Sequence, residues 1–166
     1  LKEISIYTDG AAKNNPGRGG YGIVFLFKEQ RKEMSAGFRK TTNNRMELLA
    51  VITALAALKE ECKVDLFSDS KYVIEPIEKG WLQSWKKKNW KRGKNEKVKN
   101  PDLWIRLDEL LKKQQVTFHW VRGHDGNKEN ERCDVLAVQA AEGNNLQIDE
   151  VFEQSVKSGR EETLDF

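Results

Sequence analysis

Four carboxylates stand where an acid is out of place. Asp9 closes the β-prone stretch Ile4-Ser5-Ile6-Tyr7-Thr8, just before Gly10, and Asp69 repeats that position after Lys63–Ser68. Glu47 heads a helical row with Val51, Leu55 and Leu58; Asp134 heads another with Ala137, Val138 and Ala141. Carboxylates gathered in one cleft repel unless cations or protons intervene. All-oxygen ligand sets select Mg2+ or Mn2+ over zinc. Two such ions about 3.5–4 Å apart form the clamp for in-line phosphoryl displacement. His124 sits between glycines in Gly123-His124-Asp125-Gly126, just upstream of Asp134, and suits a mobile proton carrier. Each residue has a plainer reading: Asp9 as a turn residue, Glu47 in a capping box with Asn44, Asp69 as a helix N-cap, His124 as an ordinary loop histidine. Their combination in one chain favours chemistry.

A second cluster is Trp81-Leu82-Gln83-Ser84-Trp85-Lys86-Lys87-Lys88-Asn89-Trp90-Lys91-Arg92. Tryptophans four apart share a helical face, and indoles beside cations make a platform for sugars, bases and phosphates. Between Lys86 and Lys99 eight bases and one acid give a local net of +7, so the rest of the chain, whose total is +3, carries −4. A basic block on an acidic body points to a polyanion partner. The alternative is that the tryptophans, Trp85 and Trp90 above all, anchor this excursion to the core while the lysines are merely solvated.

The elements that must position these groups follow from periodicity. The 166 residues suit one core of ordinary size. No apolar run reaches the roughly 20 residues of a membrane span. The strand-like start lacks the apolar region of a signal peptide. Cys62 and Cys133 have no paired spacing, so neither a disulfide framework nor a zinc site is expected. A cytoplasmic setting fits, and nothing in the pattern calls for an obligate oligomer. Strands are expected at Ile4–Thr8, Tyr21–Phe27 and Arg31–Phe38, an antiparallel meander with a turn-rich loop over Ala11–Gly20. A helix from about Arg45 to Lys59, apolar almost all round, should be deeply buried. A strand Lys63–Ser68, a helix Ser70 to about Ile77, a short segment around Trp81–Trp85 and a helix opening at Asn100-Pro101-Asp102 follow. A strand Val116–Val121 and a helix from about Glu129 to Glu142 complete the pattern, which fails after Gly143. This order implies a mixed sheet with helices packed on its faces.

The motifs, taken together, resemble those of the ribonuclease H type 1 family: Tyr7-Thr8-Asp9-Gly10, Asn15-Pro16-Gly17, Gly20-Tyr21-Gly22, Thr41-Thr42-Asn43-Asn44-Arg45-Met46-Glu47-Leu48, Ser68-Asp69-Ser70, Trp120-Val121-Arg122-Gly123-His124 and Asn130-Glu131-Arg132-Cys133-Asp134. The match spans about Ile4 to Gly143. The resemblance implies an α/β, ribonuclease H-like fold: a five-stranded mixed sheet, three antiparallel strands then two parallel, with helices on both faces. It implies a catalytic domain over residues 1–143, with a basic protrusion at about 81–99; the tail over 144–166, where the periodic pattern fails, is expected to be loosely ordered, and it is unlike a fixed family feature. The implied activity is endonucleolytic cleavage of the RNA strand of RNA/DNA hybrids with two Mg2+ ions, Mn2+ being a possible substitute. Asp9, Glu47, Asp69 and Asp134 are then the metal-binding carboxylates, and His124 assists proton transfer or product release. Asn15, Thr42, Asn43 and Asn44 lie where the family grips the backbone around the cut. Amides both donate to and accept from a 2′-hydroxyl. Trp81, Trp85, Lys86, Lys87, Lys88 and Lys91 fall in the protrusion that holds the DNA strand. Lys71 has no implied role, and His119 reads as structural. Two rivals are a DNA-processing enzyme of the same fold and a non-catalytic hybrid-binding module. The first lacks reason for the Asn cluster with the protrusion, the second for four intact acids.

Overall fold

In a computed structural model, which describes residues 1–123 and 125–164, the meander forms β1 (Lys2–Ala12), β2 (Gly17–Phe27) and β3 (Gln30–Thr41). Helix α1 (Asn43–Ala56) leads to β4 (Cys62–Ser68), then α2 (Lys71–Glu78), α3 (Trp81–Lys87) and α4 (Pro101–Leu111). Strand β5 (Gln115–Trp120), α5 (Lys128–Glu142), β6 (Leu146–Gln147) and α6 (Glu150–Leu164) complete the chain. The sheet order is β5-β4-β1-β2-β3-β6. The β1–β2 and β2–β3 pairs are antiparallel; β1–β4, β4–β5 and β3–β6 are parallel. This is an α/β mixed sheet of six strands, not five.

Alternation along the strands separates two apolar layers. Ile6, Ile23, Val64 and Leu66 join the α1 residues Met46, Leu48, Val51, Ile52 and Leu55 in the main core. Tyr7, Val24 and Leu26 turn the other way, against Cys133 and Leu136 of α5. Helix α1 is buried along most of its length, with α4 also packed against it. Its apolar composition requires that. Cys62 and Cys133 are both buried and free. No helix among the described residues is long and apolar enough to cross a membrane.

The segment after Gly143 departs from expectation. Leu146 and Gln147 pair with Gly37 and Phe38 as the sixth strand, and a helix follows. Periodicity misses this docking because a charge makes it. Asp149 is buried, accepts from Thr41 Oγ1 at 2.8 Å, and takes Arg45 Nε at 2.7 Å. Arg45 also grips Asp102 at 2.7 and 2.9 Å and Asn100 at 3.2 Å. One buried guanidinium therefore ties the start of α1 to the start of α4 and to the C-terminal segment.

Candidate active site

Asp9 does not sit in a turn. Strand β1 runs on through Gly10 to Ala12, with Asp9 opposite Gly22 and Gly10 opposite Tyr21. Gly10 is required by close approach: a Cβ there would lie 2.5 Å from the Glu47 backbone nitrogen and from the Met46 carbonyl carbon. Strand and helix thus touch backbone to backbone, which delivers Glu47 to Asp9. The Gly10 N–H donates to Asp9 Oδ1 at 2.9 Å and to Glu47 Oε1. Sequence reasoning missed this shared donor, although a glycine inside a strand is its signal.

The capping readings of Glu47 and Asp69 give way to neighbouring residues. Thr42 caps α1, its Oγ1 accepting from Arg45 N at 3.2 Å, which leaves Glu47 well inside the helix. Ser70 caps α2, its Oγ accepting from Val73 N at 3.3 Å. Asp9, Glu47 and Asp69 each bring a carboxylate oxygen within 4.8 Å of the others. Asp134, half-buried on α5, lies outside that tight cluster but close enough to act on Asp9. Burial, and then the charges of Asp69 and Asp134, push the Asp9 carboxyl up to about 7 against the relief of its bonds to Glu47 and Gly10. Burial and the charge of Asp9 hold Glu47 well above the ordinary carboxylate range. A dication bound by these two buried acids would displace the protons that their raised affinity retains. The donor set is carboxylate oxygen alone, with neither Cys nor His among the three, which suits a hard ion such as Mg2+.

The amide cluster is part of the scaffold before it meets any ligand. Asn15, exposed at the β1–β2 tip, accepts from the Asn43 N–H at 3.0 Å. Asn43 Oδ1 accepts from Ala12 N. Thr42 is the cap, and Asn44 is exposed in the first turn of α1. With their carbonyl oxygens engaged, Asn15 and Asn43 have NH2 groups to offer outward.

The protrusion divides into anchors and an exposed set. Trp85 meets the buried Trp104 edge-on at 5.5 Å, and Trp90 packs on the core. Lys86 reaches the buried Asp108 at 3.1 Å. These hold the excursion to the body, as the anchoring alternative has it for Trp85 and Trp90. Trp81 is 42% exposed, and Lys87, Lys88 and Lys91 are exposed. A groove of about 420 Å³, lined by Lys71, Tyr72, Trp81, Trp85, Arg92 and Lys99, runs beneath. His124 lies outside the described residues. His119 pairs with Asp65 at 2.8 Å and stacks on Phe67 at 4.7 Å, consistent with a structural part.

Comparison with known proteins agrees with this geometry. The RNase H family model matches residues 1–142. The chain is 59% identical over 149 residues to a ribonuclease H of Desulforamulus reducens, covering 90% of this chain and 94% of that one. It is 58% identical over 148 residues to a ribonuclease H of Syntrophus aciditrophicus, covering 89% and 86%. Among solved structures, LC9-RNase H1, a type 1 RNase H with the type 2 active-site motif, superposes with a TM-score of 0.77 at 28% identity, over 86% of this chain and 74% of that one. A family model over most of the chain, relatives at 58–59% identity and a shared fold agree: the chain belongs to the ribonuclease H family.

Proposed function

We propose that this chain cuts the RNA strand of RNA/DNA hybrids internally, with two Mg2+ ions held by Asp9, Glu47, Asp69 and Asp134. The observation that carries the reading is the cluster of Asp9 and Glu47, both buried, with half-buried Asp69, all oxygen donors and two of them with raised proton affinity. Bound there, the metal supplies the positive charge that activates water and stabilises the leaving oxygen. The chain's own residues do the rest. Asn15, Thr42, Asn43 and Asn44 line the approach beside Glu47 and recognise the 2′-hydroxyl and backbone of the RNA strand. Trp81, Lys87, Lys88 and Lys91 hold the DNA strand away from the cut. His124, upstream of α5 in the sequence, carries a proton.

Incubation of labelled RNA/DNA hybrid, duplex RNA, duplex DNA and single strands, each with Mg2+ and with chelator, tests the reading. Efficient cutting of the hybrid's RNA strand alone, abolished by chelation, is expected. Equal cleavage of duplex DNA, or full activity in chelator, would sink it.

The exposed bases have a separate signature. Replacing Lys87, Lys88 and Lys91 together with Ala should weaken hybrid binding and flatten its salt dependence, the log–log slope falling by roughly 0.9 for each phosphate no longer neutralised. Turnover at saturating hybrid should change far less. Lys86 is left in place, because its pair with buried Asp108 mixes stability into the result. A salt slope equal to that of wild type would mean that these lysines are solvated only.

A further inference from the structure

We propose that the carboxyl end of β5 is a positioning clamp for Asp69, with Trp120 as its positioning residue and Gly123 as the space that admits the carboxylate. This rests on the reading of Asp69 as a metal ligand. The turn that carries Asp69 joins β4 to α2, and its backbone is fastened group by group. Ser70 N donates to Ser68 Oγ at 3.0 Å, and Val121 N donates to Ser68 O at 3.0 Å. Ser70 Oγ caps α2. The carbonyl of Asp69 itself accepts from the indole Nε1–H of Trp120 at 3.1 Å.

Packing accounts for only part of Trp120. It pairs with Ser68 in the β4–β5 register and is 44% exposed, so much of a large ring lies at the surface. What the indole adds there is a single directed donor. Lys71, for which the sequence offers no role, holds its ammonium 5.0 Å over the same ring and thereby restrains the indole.

The carboxylate end of Asp69 lies against the segment just past β5. A Cβ built on Gly123 would lie 2.7 Å from Asp69 Oδ2 and 3.5 Å from its Cγ. The carboxylate therefore rests against a bare α-carbon, and any larger residue at 123 must displace it. Trp120 holds the backbone of Asp69, and Gly123 leaves the space that its oxygens occupy. Trp120 ends β5, and Gly123 lies three residues past it. A ligand held through its backbone, with a fitted space for its carboxylate, keeps its geometry for an ion, and loss of such outer partners typically weakens metal affinity roughly 10–100-fold.

The test compares Trp120→Phe, which keeps a ring and removes the N–H, and Gly123→Ala with wild type, using Asp69→Asn as a benchmark. Mg2+ binding to the free protein is followed by calorimetry and by the Mg2+-induced rise in Tm; hybrid cleavage is followed as kcat, KM and the Mg2+ concentration for half-maximal rate. Both variants should keep the metal-free Tm close to that of wild type and leave KM for hybrid unchanged. Their half-saturating Mg2+ should rise roughly 10–100-fold, with a matching loss in calorimetric affinity. Wild-type Mg2+ affinity in Trp120→Phe, with or without a lowered metal-free Tm, overturns the clamp and leaves Trp120 a structural residue. An Asp69→Asn protein that binds Mg2+ as wild type does would instead overturn the metal-ligand reading itself.

Discussion

Asp9→Asn is expected to lower hybrid cleavage by orders of magnitude while leaving the metal-free protein as stable as wild type or more so. The amide keeps the shape of the side chain and an oxygen for the Gly10 N–H, which donates to Asp9 Oδ1 at 2.9 Å. It removes one charge from a cluster in which Asp9, Glu47 and Asp69 lie within 4.8 Å of one another. Relief of that repulsion should raise metal-free stability by about 0.5–2 kcal/mol, in the range of other stabilising changes. Added Mg2+ should stabilise wild type more than the variant, because binding to the folded state alone raises its stability. The pH dependence has a definite sign. The Asp9 carboxyl, pushed up to about 7, binds its proton more tightly folded than unfolded. Its proton-linked stability is therefore fully present below pH ~4 and is lost as pH rises through about 7. Mg2+ must displace that proton, so the Mg2+-induced gain in Tm should be larger at pH 8 than at pH 6. Unfolding curves with chelator and with saturating Mg2+, for both proteins at both pH values, measure all of this. A metal-free variant clearly less stable than wild type would return Asp9 to a structural part.

Arg45→Met should give the largest loss of stability. Arg45 is 4% exposed and Asp149 8% exposed, and the guanidinium is shared between Asp149 and Asp102. Methionine fills part of the volume but leaves Asp149 buried beside an apolar chain. Removal of one partner from a buried pair costs about 3–5 kcal/mol, because the other charge stays behind uncompensated. Burial tends to push the Asp102 carboxyl up, but its bonds to Arg45 outweigh this and hold it below the usual carboxylate range. Stability from Asp102 is therefore present above its unfolded value and is lost as pH falls through the lower folded one. The deficit of Arg45→Met should accordingly shrink in acid. Denaturant unfolding at neutral and acid pH checks the magnitude and the trend, and amide exchange at Leu146 and Gln147 reports whether β6 comes away first. A loss below about 1 kcal/mol would mean that the C-terminal segment docks by other means.

The sequence by itself determined the order of elements from β1 to α5, the buried character of α1 and the unusual placement of four acids. These are local signals: periods of 2 and 3.6 residues, and an acid where the pattern asks for an apolar or small residue. It also separated the protrusion from the body by charge. Tertiary structure alone decided which local reading each residue took. Asp69 and Glu47 escape capping because Ser70, the next residue, and Thr42, five residues upstream, make those bonds instead. Trp85 and Lys86 become anchors because Trp104 and Asp108 of α4 come to lie against them. Strand β6 and the docking of the last helix went unseen for the same reason. Their fastening is an ion pair between Arg45 and Asp149, 104 residues apart, and a polar pairing of that separation leaves no periodic trace in the chain that makes it.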